Sequence, residues 1–196
     1  MAVEAFMTDP DQLASLNGQQ YVVLRPSQAV LRFYDVEKQA LGTKLSRTVP
    51  SPHTGHVTLR GFAESDRVPE VEEAVRAWAK RQEPILLEVE GIDGFPPPFS
   101  VVIARLARTS ELVGAYGSLT TLLDETDLVR IGELPLDQWV FHMSLAYCSG
   151  LSEADWVALL ALAKREVFRG PSETISEVEF VWYEDSVEHS EVIPFG

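Results

Sequence analysis

The alternation of apolar and polar positions divides the chain into one series of elements used twice. Residues 19–25, with Val22, Val23 and Leu24 at their centre, read as a strand. Pro26 stops it, because proline has no amide hydrogen to give a ladder. Over 27–41 the period lengthens to that of a helix, with Val30, Phe33, Tyr34 and Leu41 roughly on one side. Residues 55–62 return to a strand pattern. Residues 69–82 again have helical spacing, with Pro69 suited to the first turn and acidic residues leading. A strand over 85–92 completes the first series.

The run DGFPPPF at 93–99 supports neither a helix nor a central strand, and it marks the midpoint. The order then repeats. Residues 99–107 read as a strand, and 109–125 as a helix with Thr109 as N-cap. Residues 139–148 form a second central strand. Residues 152–168 predict a helix opened by Ser152 and Asp155 in capping-box spacing. Strands over 174–185 and 190–195 follow, the last at an edge. The expectation is a single bilobal α+β domain over 1–196. Its pseudo-repeat lobes span approximately 19–92 and 99–195, with the chain free to cross between them. Antiparallel sheets would line a central cleft, and helices would lie outside.

The two central strands carry the same tetrapeptide pattern, His56-Val57-Thr58-Leu59 and His142-Met143-Ser144-Leu145. Successive strand residues point to opposite faces, so each histidine shares a face with the hydroxyl two residues on. Val57 and Leu59, like Met143 and Leu145, then point into a core. One histidine in a half-buried strand is ordinarily structural. Two, in equivalent places of a duplicated layout, point to a paired site.

Composition narrows what such a site serves. The chain has 196 residues, 45% hydrophobic and 23% charged, with 30 acidic against 16 basic side chains and a net charge of −14. Such a surface, without any Lys/Arg run, disfavours an extended nucleic-acid track, which needs basic residues to displace phosphate counterions. No apolar run reaches membrane-spanning length and the N-terminus lacks a signal-peptide pattern, so a cytoplasmic protein is expected, with no membrane partner. The single Cys148 supports neither a disulfide nor a cysteine metal site and reads as a small core residue. No metal and no cofactor are expected.

These residues resemble the two-histidine (2H) phosphoesterase superfamily, defined by two His-x-Ser/Thr-apolar motifs in a pseudo-twofold α+β fold. GHVTLRGF resembles the first motif of the LigT, or 2′-5′ RNA ligase-like, branch. FHMSLAYC is similar to the second motif of the cyclic phosphodiesterase branch, His-x-Ser-Leu-x-Tyr. The resemblance extends from Tyr21 to Phe195 and implies a LigT-like fold. It also implies hydrolysis of a 2′,3′-cyclic phosphate, or a related cyclic or 2′-5′ diester, on a small nucleotide or RNA end, with 2′-5′ RNA ligase-like activity as a further capacity. The chemistry is reasonable on its own terms. Two imidazoles titrating near neutrality can take a proton from water and give one to the leaving oxygen. The hydroxyls of Thr58 and Ser144 can donate to the phosphate oxygens where charge develops. His56 and His142 are the expected catalytic pair, in a monomer. The alternative is a non-catalytic nucleotide-binding or partner-docking module that keeps the fold.

Further candidates lie around these motifs. Arg60 falls on the face of His56 and Thr58 and is a possible phosphate contact. Tyr147 points to the opposite face of a regular strand, and only a bulge would turn it toward substrate. Phe62, Tyr21 and Trp139 are possible base-stacking residues. His53 reads as a loop residue and His189 as an exposed one before the last strand. Arg105, Arg108 and Arg130 read as surface with reach to a substrate tail.

Overall fold

The computed structural model describes residues 5–44 and 54–196. Its elements begin α1 (Pro10–Leu16), β1 (Gln20–Leu24), α2 (Ala29–Lys44), β2 (Val57–Phe62), α3 (Val68–Ala79), β3 (Ile85–Phe95) and β4 (Val101–Leu106). They continue α4 (Ser110–Leu123), β5 (Arg130–Ile131), β6 (His142–Tyr147), α5 (Glu153–Ala163), β7 (Arg165–Glu166), β8 (Ser172–Ile175), β9 (Glu177–Glu184) and β10 (Val187–Pro194). The strands make two antiparallel sheets, ordered β10-β9-β1-β2-β5 and β6-β4-β3-β7, with β8 also paired to β3.

Neither sheet is one half of the chain. β3, from the first half, joins β4 and β6, whereas β9 and β10, from the second half, join β1. The strand read over 174–185 is in fact two, broken at Ser176. Ile175 pairs with Ile85 in one sheet, and β9 pairs with β1 in the other. A continuous apolar pattern does not say which sheet each residue joins.

Local signals set most boundaries. The Thr109 hydroxyl accepts from the Leu112 amide at 3.2 Å to open α4, and Ser152 accepts from Asp155 at 3.2 Å to open α5, as N-caps do. The helix expected over 152–168 stops at Ala163. Arg165 and Glu166 instead pair with Ile92 and Gly91 at the edge of β3, and Phe168, which kept the helical spacing, is exposed. Tertiary pairing overrides helix propensity there.

The back faces of both sheets share one buried cluster, which includes Val22, Leu59, Val102, Leu145 and Phe180. Helices α2 and α5 pack on the second sheet, α3 on the first, and α4 against α3 and β3. Helix α1 has no counterpart in the sequence reading. It lies on the opposite, front face of the first sheet, where Leu13 and Leu16 pack on Phe6, Met7, Val23, Val181 and Tyr183.

Candidate active site

The two histidine strands share a departure from regular pairing. In β2, Val23 pairs with Thr58 but Val22 pairs with Arg60, so Leu59 is an extra residue. In β6, Ile103 pairs with Ser144 but Val102 pairs with Ala146, so Leu145 is extra. Each is a β-bulge placed immediately after the motif hydroxyl. A bulge sets two successive residues on one side and reverses the alternation beyond it. Leu59 and Arg60 therefore both turn to the back, as Leu145 and Ala146 do, and all four are buried. Gly61 and Tyr147 are brought to the front with the histidines.

The settings of the two imidazoles match. The Nδ1–H of His56 donates to the Thr54 carbonyl at 2.8 Å, and that of His142 donates to the Val140 carbonyl at 2.8 Å. Each bond fixes the tautomer and leaves Nε2 of the neutral ring with its lone pair. Each ring also meets a phenylalanine edge-on, Phe6 with His56 at 4.9 Å and Phe95 with His142 at 4.8 Å between centroids. Burial pushes the His142 imidazole below its usual pKa, and the bond to the Val140 carbonyl offsets part of that effect.

An arginine lies beside each histidine on the neighbouring strand. Arg105 is directly opposite His142 in the β4–β6 register. Arg25 follows Leu24, whose partner Val57 follows His56. Each arginine is bound to a carboxylate on the next strand over, Arg25 to Glu179 at 2.7 Å and Arg105 to Asp93 at 3.0 Å. Arg25 also donates to the Thr54 hydroxyl at 3.1 Å and covers the Phe6 ring at 3.5 Å, so it braces both residues that hold His56. Arg105 is further committed to Glu90 and Glu166.

A stability difference follows for the first of these pairs. The Glu179 side chain is 4% exposed and that of Arg25 is 22% exposed. Arg25→Ala leaves a buried carboxylate without its counter-charge, whereas Glu179→Ala leaves a guanidinium that can turn toward water. Arg25→Ala should be the costlier change, by about 2–3 kcal/mol once the scale for a broken buried pair is discounted for partial exposure. Urea midpoints at unchanged slope measure this; equal midpoints, or the reverse order, contradict it.

On the front of the first sheet, His56, Thr58, Tyr21 and Tyr147 line one cavity of about 260 Å³ together with residues of α1 and β9. Tyr147 comes from the strand of His142 and bonds Ser144, and β2 packs against β6. His142 and Ser144 share the front face of β6 with Tyr147 but are not among the residues lining this cavity. The bulge at Leu145 thus places Tyr147 against the regular-strand expectation. The sequence holds no sign of it beyond the motif itself.

Two candidates are corrected. Arg60, 1% exposed, lies behind the sheet with its guanidinium 3.8 Å over the Tyr116 ring, bonded to Thr120 and 3.3 Å from Glu133. The bulge turned it away from His56. Phe62 is wholly buried in the core and can stack on nothing outside it. Trp139 packs beside Tyr116 on the core as well. Arg108 binds the carbonyls of Trp139 and Leu136, and Arg130 pairs with Asp124 and Glu133. His189 lies within β10 rather than before it, half-buried and stacked on Trp182 at 5.2 Å. His53 lies outside the described residues. Cys148 is buried, and burial raises its thiol pKa. No group of three or more His, Cys, Asp or Glu among the described residues is arranged to hold a metal ion, and no described helix is long and apolar enough to cross a membrane.

Residues 33–186 match the family model of the 2′-5′ RNA ligase superfamily. The fold is similar to that of TT0787 of Thermus thermophilus, with a TM-score of 0.61 at 16% identity over 89% of this chain and 94% of that one. It is similar to E. coli LigT complexed with 3′-AMP, with a TM-score of 0.58 at 13% identity over 91% and 95%. It is also similar to Kluyveromyces marxianus Usb1, with a TM-score of 0.58 at 12% identity over 92% and 100%. No curated protein sequence matches the chain.

Proposed function

Because this chain belongs to the 2′-5′ RNA ligase superfamily, we infer that it is a phosphoesterase that opens a 2′,3′-cyclic phosphate of a small nucleotide or RNA end. His56 and His142 are its acid and base. The observation that carries this reading is the duplicated setting of the two imidazoles. Each donates Nδ1–H to the carbonyl two residues back and is held by a phenylalanine edge, which sets both rings in the tautomer whose basic atom is Nε2. That the similar LigT was obtained with 3′-AMP supports a substrate of nucleotide size.

In this reading one neutral imidazole takes a proton from water as its oxygen bonds to phosphorus. The bond from phosphorus to one ribose oxygen breaks, and the other, protonated imidazole gives that oxygen its proton. A phosphomonoester and a free hydroxyl result. Thr58 and Ser144 donate to the non-bridging oxygens. With a 5′-hydroxyl in place of water, the same two transfers join two ends, which is the ligase-like capacity of the superfamily. Neither transfer calls on a metal. A turnover assay on nucleoside 2′,3′-cyclic phosphates with product analysis tests the reading, and tight binding without conversion would replace it with the binding-module alternative.

The lowered pKa of His142 favours the neutral ring and so supports the base role for it within this reading. A base is lost as pH falls through its pKa. The acid limb of kcat/KM should therefore lie below the ordinary imidazole value of about 6.5. His142 would instead be the acid if activity were lost on raising the pH through a value below 6.5.

A further inference from the structure

Past His56 the cavity runs over the front of the first sheet and is walled on one side by the N-terminal strap, residues 5–18. The strap is tied down at both ends. The Glu188 carboxylate accepts from the Phe6 and Met7 amides at 2.6 and 2.8 Å, and the Tyr183 hydroxyl donates to the same group at 3.1 Å. At the far end the Gly18 amide donates to the Tyr183 carbonyl at 2.8 Å, and Asn17 accepts from the Ser186 amide at 3.2 Å. Asp9 caps α1 between them. The strap is a built wall of the site, and it lies outside the span that the family model matches.

The chemistry of this space is specific. Three tyrosines, Tyr21, Tyr147 and Tyr183, meet there over a floor of Val23 and Val181, and α1 contributes Gln12 and Ser15. Tyr21 and Tyr183 stand edge to face, 6.3 Å apart at 76°. Gly61 makes this possible, because a side chain there would come within 3.0 Å of the Tyr21 ring. Apart from His56, no described residue lining the cavity carries an imidazole, carboxylate, amine or guanidinium. Burial pushes the Tyr21 phenol up to about 12 and moves those of Tyr147 and Tyr183 upward too.

A second phosphate in such a space would be desolvated without a counter-charge, which is costly. A flat, uncharged ring loses little and gains from aromatic faces and edges. The volume, about 260 Å³, falls just under the roughly 300–1,000 Å³ of drug-sized ligand pockets. That is room for one ring system, not for a second nucleotide.

We propose that this strap-walled cavity is the subsite for one uncharged nucleobase of the substrate, with Gln12 and Ser15 on the side of its polar edge. This rests on the phosphoesterase reading and adds a specificity to it: the base, not a polyphosphate or an RNA tail, occupies the His56 side. The strap residues are specificity-determining and take no part in the proton transfers.

The test compares a nucleoside 2′,3′-cyclic phosphate with ribose 2,3-cyclic phosphate, which lacks the base. For the wild type, loss of the base should raise KM about 5- to 100-fold with kcat little changed, the scale of one base–aromatic stacking contact. Gln12→Ala should weaken, and the cavity-filling Ser15→Phe should largely erase, that preference. Both variants should lose more on the nucleoside substrate than on the base-free one, and neither should move the pH limbs. Equal KM for both substrates in the wild type, or equal losses on both in Ser15→Phe, overturns the subsite. Calorimetry with adenosine 3′-monophosphate against ribose 3-phosphate separates the two readings. A base preference in binding that Ser15→Phe removes, without turnover of either cyclic phosphate, keeps the subsite and rejects the catalysis. No base preference in binding rejects the subsite whatever the turnover.

Discussion

Replacing His56 or His142 with alanine should lower turnover of a nucleoside 2′,3′-cyclic phosphate by about 10²–10⁴-fold, the contribution of one positioned acid or base. The fold should survive both changes. Each imidazole is half-buried, and the changes give up a bond to a carbonyl only two residues away and an edge contact with one phenylalanine, a small loss against the pairing of the two sheets. Far-UV circular dichroism should be unchanged. Because the two rings serve the same displacement, the double variant should fall little below the weaker single one. Either single variant keeping more than about a tenth of wild-type activity with a chelator present would remove both residues from the chemistry.

The hydroxyls come next in size. Thr58→Val and Ser144→Ala should each lower kcat by about 10- to 1,000-fold, the range for one lost donor to a developing oxyanion, with the pH limbs unmoved because those belong to the histidines. Thr58→Val is the cleaner of the two, since it keeps the shape of the side chain. Ser144 is bonded to the Tyr147 phenol, so Ser144→Ala also frees that ring, and Tyr147→Phe is its control. A loss confined to KM would mean that the hydroxyls hold the ground state only. Limbs that shift while the maximum stands would mean that the histidines bind phosphate without transferring its protons.

How legible this site is in the sequence depends on how far each feature lies from the motif. His56 and Thr58, like His142 and Ser144, are read onto one face because period-two alternation holds for the three residues concerned. Two residues further on it fails. Leu59 and Leu145 look like ordinary core leucines, yet each is an extra residue in its ladder, and nothing in their chemistry distinguishes a bulge from regular pairing. The error is therefore symmetrical. Arg60 is assigned to the front and lies behind, whereas Tyr147 is assigned behind and lies in front. Arg25, which braces Thr54 and Phe6 under His56, carries no motif at all.

The amino-acid sequence by itself specifies most of the alternating elements, the capped starts of α4 and α5, and two histidine–hydroxyl pairs in equivalent strands. All of these follow from local rules, which act within one strand or one helical turn. Folding in three dimensions settled the rest: the sheet that received each strand, the end of α5, and the face each residue took beyond a bulge. It also set α1 as the wall of the space beside His56. One cause underlies all of these. Strand pairing joins residues far apart in the chain, as Val23 joins Glu179 and Ile85 joins Ile175. The energy that selects a partner or a bulge comes from the face it buries, which no local window contains.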